Sequence, residues 1–321
     1  MHLPKLVLTM LLSAAAALPA LAEYPTKPVR VLVGFPAGQT TDVVARMLGQ
    51  RLTAAMGQSF FVENKPGVGA GLAAEMTARA DADGYTILAT SSGPLTVNPW
   101  IYPSLKYDST RDFEPIGFLG LFPLVLVVNA RSPFNSVEDL VRYARQHPGK
   151  VNYASGGNGV TNHLAMEMFR HRAGIDLTHV PYKGGVAALT DLAGGQVDVM
   201  FEVASIVQPL VRQGKLKPLA VASQKRIPTM SAVPTIGDSG YPGFQADAWI
   251  GVVAPRRVPA AISDKLATEI ARIVATPDWQ AAISNLGAVT VPMSRKEFGS
   301  FIASERTKWG DAVKRANVRI D

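Results

Sequence analysis

Val29-Arg30-Val31-Leu32-Val33-Gly34-Phe35-Pro36-Ala37-Gly38-Gln39-Thr40-Thr41-Asp42 passes from a valine-rich apolar run into a short loop of small and hydroxyl-bearing residues. The run is bounded by Pro28 and Pro36, so it reads as a short buried strand. A helical pattern follows, with Val43, Val44, Met47, Leu48, Leu52 and Met56 on one face and Gly57 at its end. Further along, Ser59 to Glu63 reads as a second strand, Gly67 to Gly71 as a flexible loop and Leu72 to Ala80 as a second helix. Asp81 to Gly84 then turns the chain into a third strand, Tyr85 to Thr90, which ends in Ser91-Ser92-Gly93-Pro94. Alternating strands and helices predict a parallel α/β layer.

A second unit begins near residue 123. Strands are expected at Leu124 to Asn129, Val151 to Ala154, Leu177 to Val180, Val197 to Phe201 and Leu216 to Ala222, and, between this unit and the tail, at Ala248 to Ala254. Helices are expected at Ser136 to His147, Val160 to Ala173 and Gly185 to Gly194. The tail from Ser263 reads as helical over Leu266 to Val274, Asp278 to Leu286 and Arg295 to Lys314, with amphipathic faces that pack back on the first layer. The halves are not a sequence repeat, yet each runs a strand into a glycine-and-hydroxyl loop that opens a helix: Phe35 to Thr41 and Ser155 to Thr161. Open α/β sheets bind ligands beyond the carboxyl ends of their strands, and two such ends facing each other make a cleft.

The chain has 321 residues, 47% hydrophobic and 18% charged, which suits two globular domains rather than a disordered or membrane-embedded chain. Residues 1–22 carry one lysine, an apolar run from Leu6 to Leu18 and Ala20-Leu21-Ala22, the layout of a cleavable signal peptide. The apolar run is too short for a membrane anchor, and Pro19 interrupts it. There are no cysteines, which excludes disulfide stapling and lipoprotein acylation. Basic residues outnumber acidic ones by 32 to 25, but they are scattered and aromatics make up only 7%. Nucleic-acid binding would want a dense basic face with stacking platforms, so no nucleic-acid partner is expected. A mild positive field aids solubility or the collection of small anions.

Helix N-termini hold carboxylates through unpaired N–H groups and a positive partial charge. Gly38, Gly156 and Gly157 allow close approach to the backbone, and Thr40, Thr41, Ser155 and Thr161 add hydroxyls. The alternative is ordinary capping, with Thr41 or Asp42 serving its own helix. The G-x-G-x-x-A at Gly69, Gly71 and Ala74 lacks the strand spacing and the acidic residue of a dinucleotide site, so no cofactor is expected. His163, Glu167 and His171 lie on one helix, but the histidines are about 12 Å apart along its axis and cannot share a metal. Ser155 lacks the G-x-S-x-G elbow, and His163 is its only near histidine in sequence, so a hydrolase reading is unsupported.

In order along the chain stand Tyr24-Pro25, Phe35-Pro36-Ala37-Gly38 with Thr41-Asp42, and Val62-Glu63-Asn64-Lys65-Pro66-Gly67. Asp83-Gly84-Tyr85-Thr86, Asn98-Pro99, Pro148-Gly149-Lys150 and Tyr153-Ala154-Ser155 follow. Gly157-Asn158-Gly159, His163-Leu164, Val180-Pro181-Tyr182-Lys183-Gly184 and Gly194-Gly195-Gln196-Val197-Asp198-Val199-Met200-Phe201 complete the series. Across the mature chain this series resembles the Bug family, the tricarboxylate-binding receptors of tripartite tricarboxylate transporters. The resemblance implies an α/β, two-lobed periplasmic-binding-protein fold of the second type with the ligand cleft between the lobes. The first lobe would comprise residues 23–122 and 224–321, and the second residues 123–223. It implies a periplasmic, non-enzymatic protein, expected to be a monomer without metal or cofactor. Such a receptor would close on a di- or tricarboxylate, amino acid or aromatic acid and serve the membrane components of a transporter. Candidate contacts carried over are Phe35, Ala37, Gly38, Thr40, Thr41, Ser91, Ser155, Gly156, Thr161, Tyr182 and Glu202. Gln39 stands where the family usually has a second glycine, and Glu202-Val203 where an aspartate and a polar residue are common, so the ligand does not carry over.

Two other functions stay open on the sequence: a ligand-sensing accessory protein of a signalling system, which the fold does not separate from transport, and a periplasmic hydrolase. Glu202 is either a rim residue in water or an inward carboxylate accepting a hydrogen bond from the ligand's amine or hydroxyl, directly or through water.

Overall fold

The computed structural model describes residues 24–316; the leader expected over residues 1–22 lies outside them. The first sheet takes β1 (Val29–Val33), β2 (Phe60–Asn64), β3 (Thr86–Ser91), β4 (Phe113–Phe122) and β10 (Ala248–Pro255) in the order β2-β1-β3-β10-β4. The second takes β5 (Leu124–Asn129), β6 (Asn152–Ser155), β7 (Thr178–Pro181), β8 (Val199–Val203) and β9 (Leu216–Val221) in the order β7-β6-β8-β5-β9. Helices α1 (Thr40–Met56), α2 (Gly71–Ala78), α3 (Ser92–Thr96) and α4 (Asn98–Ile101) belong to the first unit. Helices α5 (Val137–Gln146), α6 (Thr161–Ala173), α7 (Gly185–Gly194) and α8 (Ala204–Arg212) belong to the second, and α9 (Ala260–Val274), α10 (Pro277–Asn285) and α11 (Arg295–Ala316) end the chain.

Both sheets are mixed, not purely parallel as expected. β10 runs antiparallel between β3 and β4, and β5 antiparallel between β8 and β9. These are the two strands that enter a lobe by crossing from the other, and strand direction leaves no mark on a hydrophobic pattern. Side chains alternate between two buried faces along each central strand. In β1, Val29, Val31 and Val33 join the core beneath α1 and α9, whereas Leu32 joins the one beneath α2 and α11. In β5, Leu124, Leu126 and Val128 face α5 and α6, while Val125 and Val127 face α7 and α8. Each lobe is therefore a three-layer α/β/α sandwich.

Four elements escaped the pattern reading. In β4, Pro115, Gly117 and Gly120 interrupt the apolar run, and its pairing with β10 carries two register irregularities. Helix α8 contains Pro209, which reads as a breaker but sits where the helix continues around it. Helices α3 and α4 are short and contain Pro94 and Pro99, so their segments look like turns. The loop Gly67 to Gly71 is pinned rather than free, because Asn98 Nδ2 donates to the carbonyls of Val68 and Gly69.

The chain crosses between the lobes at Pro123, whose carbonyl accepts from Ala204 N–H, and returns through Ala222 to Asp247. Helix α11 makes a third link, where the tail was expected on the first layer alone. Phe298 and Ile302 enter the first lobe's core, while Trp309, Ala312 and Val313 enter the second lobe's core with Leu164 and Phe169. A helix of 22 residues spans about 33 Å, long enough to reach both.

Candidate functional site

A cleft of about 300 Å³ lies where the carboxyl ends of the parallel strands of both sheets meet. Its first-lobe wall includes Phe35, Ser91, Ser92, Ala248 and Ile250; its second-lobe wall includes Gly156, Val186, Glu202 and Ile206, with Phe122 and Leu124 at the crossing. A larger cavity of about 520 Å³ lies on the outer side of the first lobe beside α11. It touches one lobe only, and Glu114 on its wall is already paired with Arg256 and Arg295, at 2.9 and 2.6 Å. The cleft is the place where both lobes contribute.

Five helices begin at the cleft, and their N-caps Gln39, Ser91, Val160, Gly184 and Val203 all line it. None of the five makes a side-chain capping bond. By contrast, Ser136 and Thr276 cap α5 and α10, away from the cleft, by accepting from Asp139 and Trp279 N–H. Helices α2 and α9 also start without such a cap, so it is the convergence of five ends that carries meaning. Each leaves first-turn N–H groups and a positive partial charge facing the same space. Among the described residues no lysine, arginine or histidine lines the cleft.

Side chains in the first turns hold the loops rather than the ligand space. Asp42 Oδ2 accepts from Gly38 N–H at 2.9 Å, and Oδ1 accepts from Asn64 Nδ2, which also donates to the Phe35 carbonyl. Burial alone would raise the Asp42 carboxyl, but the bonds from Arg46, Gly38 and Asn64 outweigh it and hold it below the usual carboxylate range. Gly38 adopts φ +84°, a conformation that a side chain there would strain. In the second lobe, Asn162 Oδ1 accepts from Gly156 N–H, and His163 Nδ1 accepts from Gly159 N–H. His163 stacks on His179 with ring centroids 4.1 Å apart, and burial, first of all, pushes it down to about 3, so the ring is neutral and free to accept.

Of the eleven candidate residues, Phe35, Thr40, Thr41, Ser91, Gly156, Thr161 and Glu202 line the cleft. Ala37 and Gly38 stand in the loop outside the lining, where Gly38 serves the turn. Ser155 is fully buried, with its hydroxyl 2.7 Å from His179 Nε2 and donating to the Gly157 carbonyl. Tyr182 donates to Asp191 Oδ2 on α7 at 2.8 Å and so faces its own lobe. The histidine beside Ser155 is His179 rather than His163, and the pair sits inside a stack with Tyr153, not at the cleft. Among the described residues no three histidine, aspartate or glutamate side chains converge on a metal position.

Glu202 is buried, at 5% exposure, and belongs to β8, because that strand runs two residues later than the apolar run suggests. Its Oε2 accepts from Asn162 Nδ2 at 2.9 Å and its Oε1 from Val203 N–H at 2.7 Å. Burial raises its carboxyl, and these two bonds only partly oppose that. Several residues in or beside the cleft went unread in the sequence. Ser92 looked like part of a turn, yet it lines the cleft, and its buried hydroxyl has no hydrogen-bond partner among the described residues. Asn162 carried a faint signal in its place beside Thr161 at a helix start. Ser205 carried none: its hydroxyl lies 3.3 Å from that of Thr40, joining α8 to α1 across the cleft.

The sequence matches the family described as the tripartite tricarboxylate transporter family receptor over residues 44–318. It is 34% identical to Protein BugT of Bordetella pertussis over 310 residues, 96% of this chain and 95% of BugT. Among solved structures it is similar to an adipate-bound protein of R. palustris, with 34% identity, TM-score 0.85, and coverage of 92% of this chain and 100% of the other. It is also similar to MatC of Rhodopseudomonas palustris with bound malate, with 31% identity, TM-score 0.80, and coverage of 90% and 100%. The chain belongs to the receptor family of the tripartite tricarboxylate transporters, solute-binding and non-enzymatic proteins of the two-lobed periplasmic-binding fold.

Proposed function

We propose that this protein captures a small carboxylate in the periplasm and delivers it to the membrane components of a tripartite tricarboxylate transporter. The observation that carries this reading is the meeting of five helix starts, from both lobes, around one cleft without a basic side chain. Main-chain N–H groups at such ends bind carboxylates. The partner-free Ser92 hydroxyl adds a donor on the first-lobe side. Adipate and malate in the related structures agree with a ligand of this class.

In this reading, Thr40, Thr41, Ser91, Gly156 and Thr161 contact the ligand and Phe35 packs on its hydrocarbon part. Ala37, Gly38, Ser155 and Tyr182 shape and support the loops. The lobes are those expected from the sequence, except that residues 224–246, whose Ile236, Phe244 and Ala246 lie among the second lobe's core residues, go with the second lobe. They close as rigid bodies about the crossings near Pro123 and Ala222, burying Val160 and Val186, which stand 37% and 69% exposed on the second-lobe rim. Export follows cleavage after Ala22. A thermal-shift screen with mono-, di- and tricarboxylates tests the ligand class, since a ligand that binds only the native state raises the melting temperature. At least one acid should raise it; no shift across the panel overturns the reading. Intact mass of periplasmic protein should begin at Glu23, and a membrane-held species retaining residues 1–22 would refute the export step.

A further inference from the structure

The carboxyl-bearing residue of the second-lobe wall of the cleft is Glu202. Three helices of that lobe begin around it. Asn162, in the first turn of α6, donates to Oε2, and Val203, the N-cap of α8, donates its N–H to Oε1. Gly185, the first residue of α7, lies so close to Oε2 that a methyl group there would collide with it. Among the described residues Glu202 is the only ionisable side chain lining the cleft, and it has no ion-pair partner. A carboxylate offers about four acceptor positions, and two of these are used within the protein. A buried carboxylate without a cation demands further donors or another source of positive charge.

The first-lobe side is the opposite in character. Among the described residues no acidic side chain lines it, the 17-residue α1 begins there, and the buried hydroxyl of Ser92 has no partner. From this asymmetry we infer that the cleft selects a carboxylate whose far end carries a hydrogen-bond donor, an ammonium or a hydroxyl, with the carboxylate at the first lobe and the donor at Glu202. A plain dicarboxylate would set a second negative charge against Glu202 in a site with no basic side chain to separate them. The inference rests on the carboxylate-receptor reading and narrows its ligand class.

Calorimetry with matched acids tests it: succinate against γ-aminobutyrate and aspartate, and adipate against ε-aminocaproate and its ε-hydroxy analogue. The wild-type protein should bind a donor-bearing acid at least about tenfold more tightly than the plain diacid of its series, the scale of one hydrogen bond to a charged group. Glu202→Gln should remove that preference, lowering affinity for the donor-bearing acid by about tenfold or more and leaving the diacid equal or tighter. Diacids that bind the wild type as tightly as their donor-bearing partners overturn the inference, as does Glu202→Gln leaving both affinities unchanged. If no acid of any kind binds, the carboxylate reading itself falls, and the inference with it. If Glu202→Gln does not fold, the wild-type pH profile decides. Asn162, Val203 N–H and Gly185 face the carboxyl, and none of them titrates. Affinity for an amino acid should weaken, and that for a diacid hold or rise, as acidification protonates Glu202; amino-acid affinity that holds or strengthens on acidification refutes the inference.

Discussion

Asp247 stands on the return crossing between the lobes, between Ala246, bonded to the Ala222 carbonyl, and Ala248, paired with Phe122. It is 2% exposed. Gln245 Nε2 donates to Oδ2 at 2.7 Å, but Oδ1 is buried without a partner. Burial pushes the carboxyl from 3.8 up to about 6, against the bond from Gln245 and the pull of Lys308, with Glu305 adding repulsion. A carboxyl raised in the folded state binds its proton more tightly there than in the unfolded chain. Its stabilising contribution is therefore complete below about pH 4 and is lost as pH rises through about 6. A shift of roughly two units is worth about 3 kcal/mol. Asp247→Asn keeps the shape and the acceptor for Gln245 and cannot ionise. At pH 8 the variant should gain up to about 3 kcal/mol, or about 5 °C in melting temperature for a protein of this size. By pH 4 the gain should vanish. Scanning calorimetry of both proteins across that range is the assay. The reasoning fails if the variant gains nothing at pH 8, or if its gain persists undiminished at pH 4, where charge no longer distinguishes the two.

Ser92→Ala removes the partner-free donor and should weaken binding of whichever acid the screen identifies by about 0.5–1.5 kcal/mol, without lowering the melting temperature. Gly185→Ala should destabilise the protein by about 1–3 kcal/mol by forcing Glu202 to move, and the shorter side chain of Glu202→Asp should recover part of this in the double variant; urea melts of the four proteins decide. Trp309→Ala leaves a cavity in the second lobe's core at the end of α11 and should cost about 3–5 kcal/mol; a loss under 1 kcal/mol would mean that α11 does not hold that lobe. Small-angle scattering should register a smaller radius of gyration at saturating ligand, and an unchanged radius would argue against closure around the crossings at Pro123 and Ala222.

The alternation of valine-rich runs with amphipathic helices was enough to establish two α/β layers, because burial on both faces of a strand leaves a continuous apolar run that needs no knowledge of its neighbours. The glycine-and-hydroxyl loops before Thr40 and Thr161 were legible for the same local reason: a strand must turn sharply into a helix there. Direction and crossing were not local. β10 and β5 read like the strands around them, and only the path between the lobes makes them antiparallel. Pro115 in β4 and Pro209 in α8 broke patterns that tertiary packing restores. At the site, the residue types were visible but their aim was not. Ser155 and Tyr182 share the motif-rich loops with Gly156 and Gly184, yet their hydroxyls turn to His179 and Asp191. Ser92 and Ser205 lay in stretches without any motif. The sequence alone determined the loops that open α1, α6 and α7, since chain punctuation by glycine is encoded within a few residues. Only the tertiary structure decided that these openings converge with those of α3 and α8, and that Glu202 stands among three of the five, because convergence depends on how two sheets face each other across a gap.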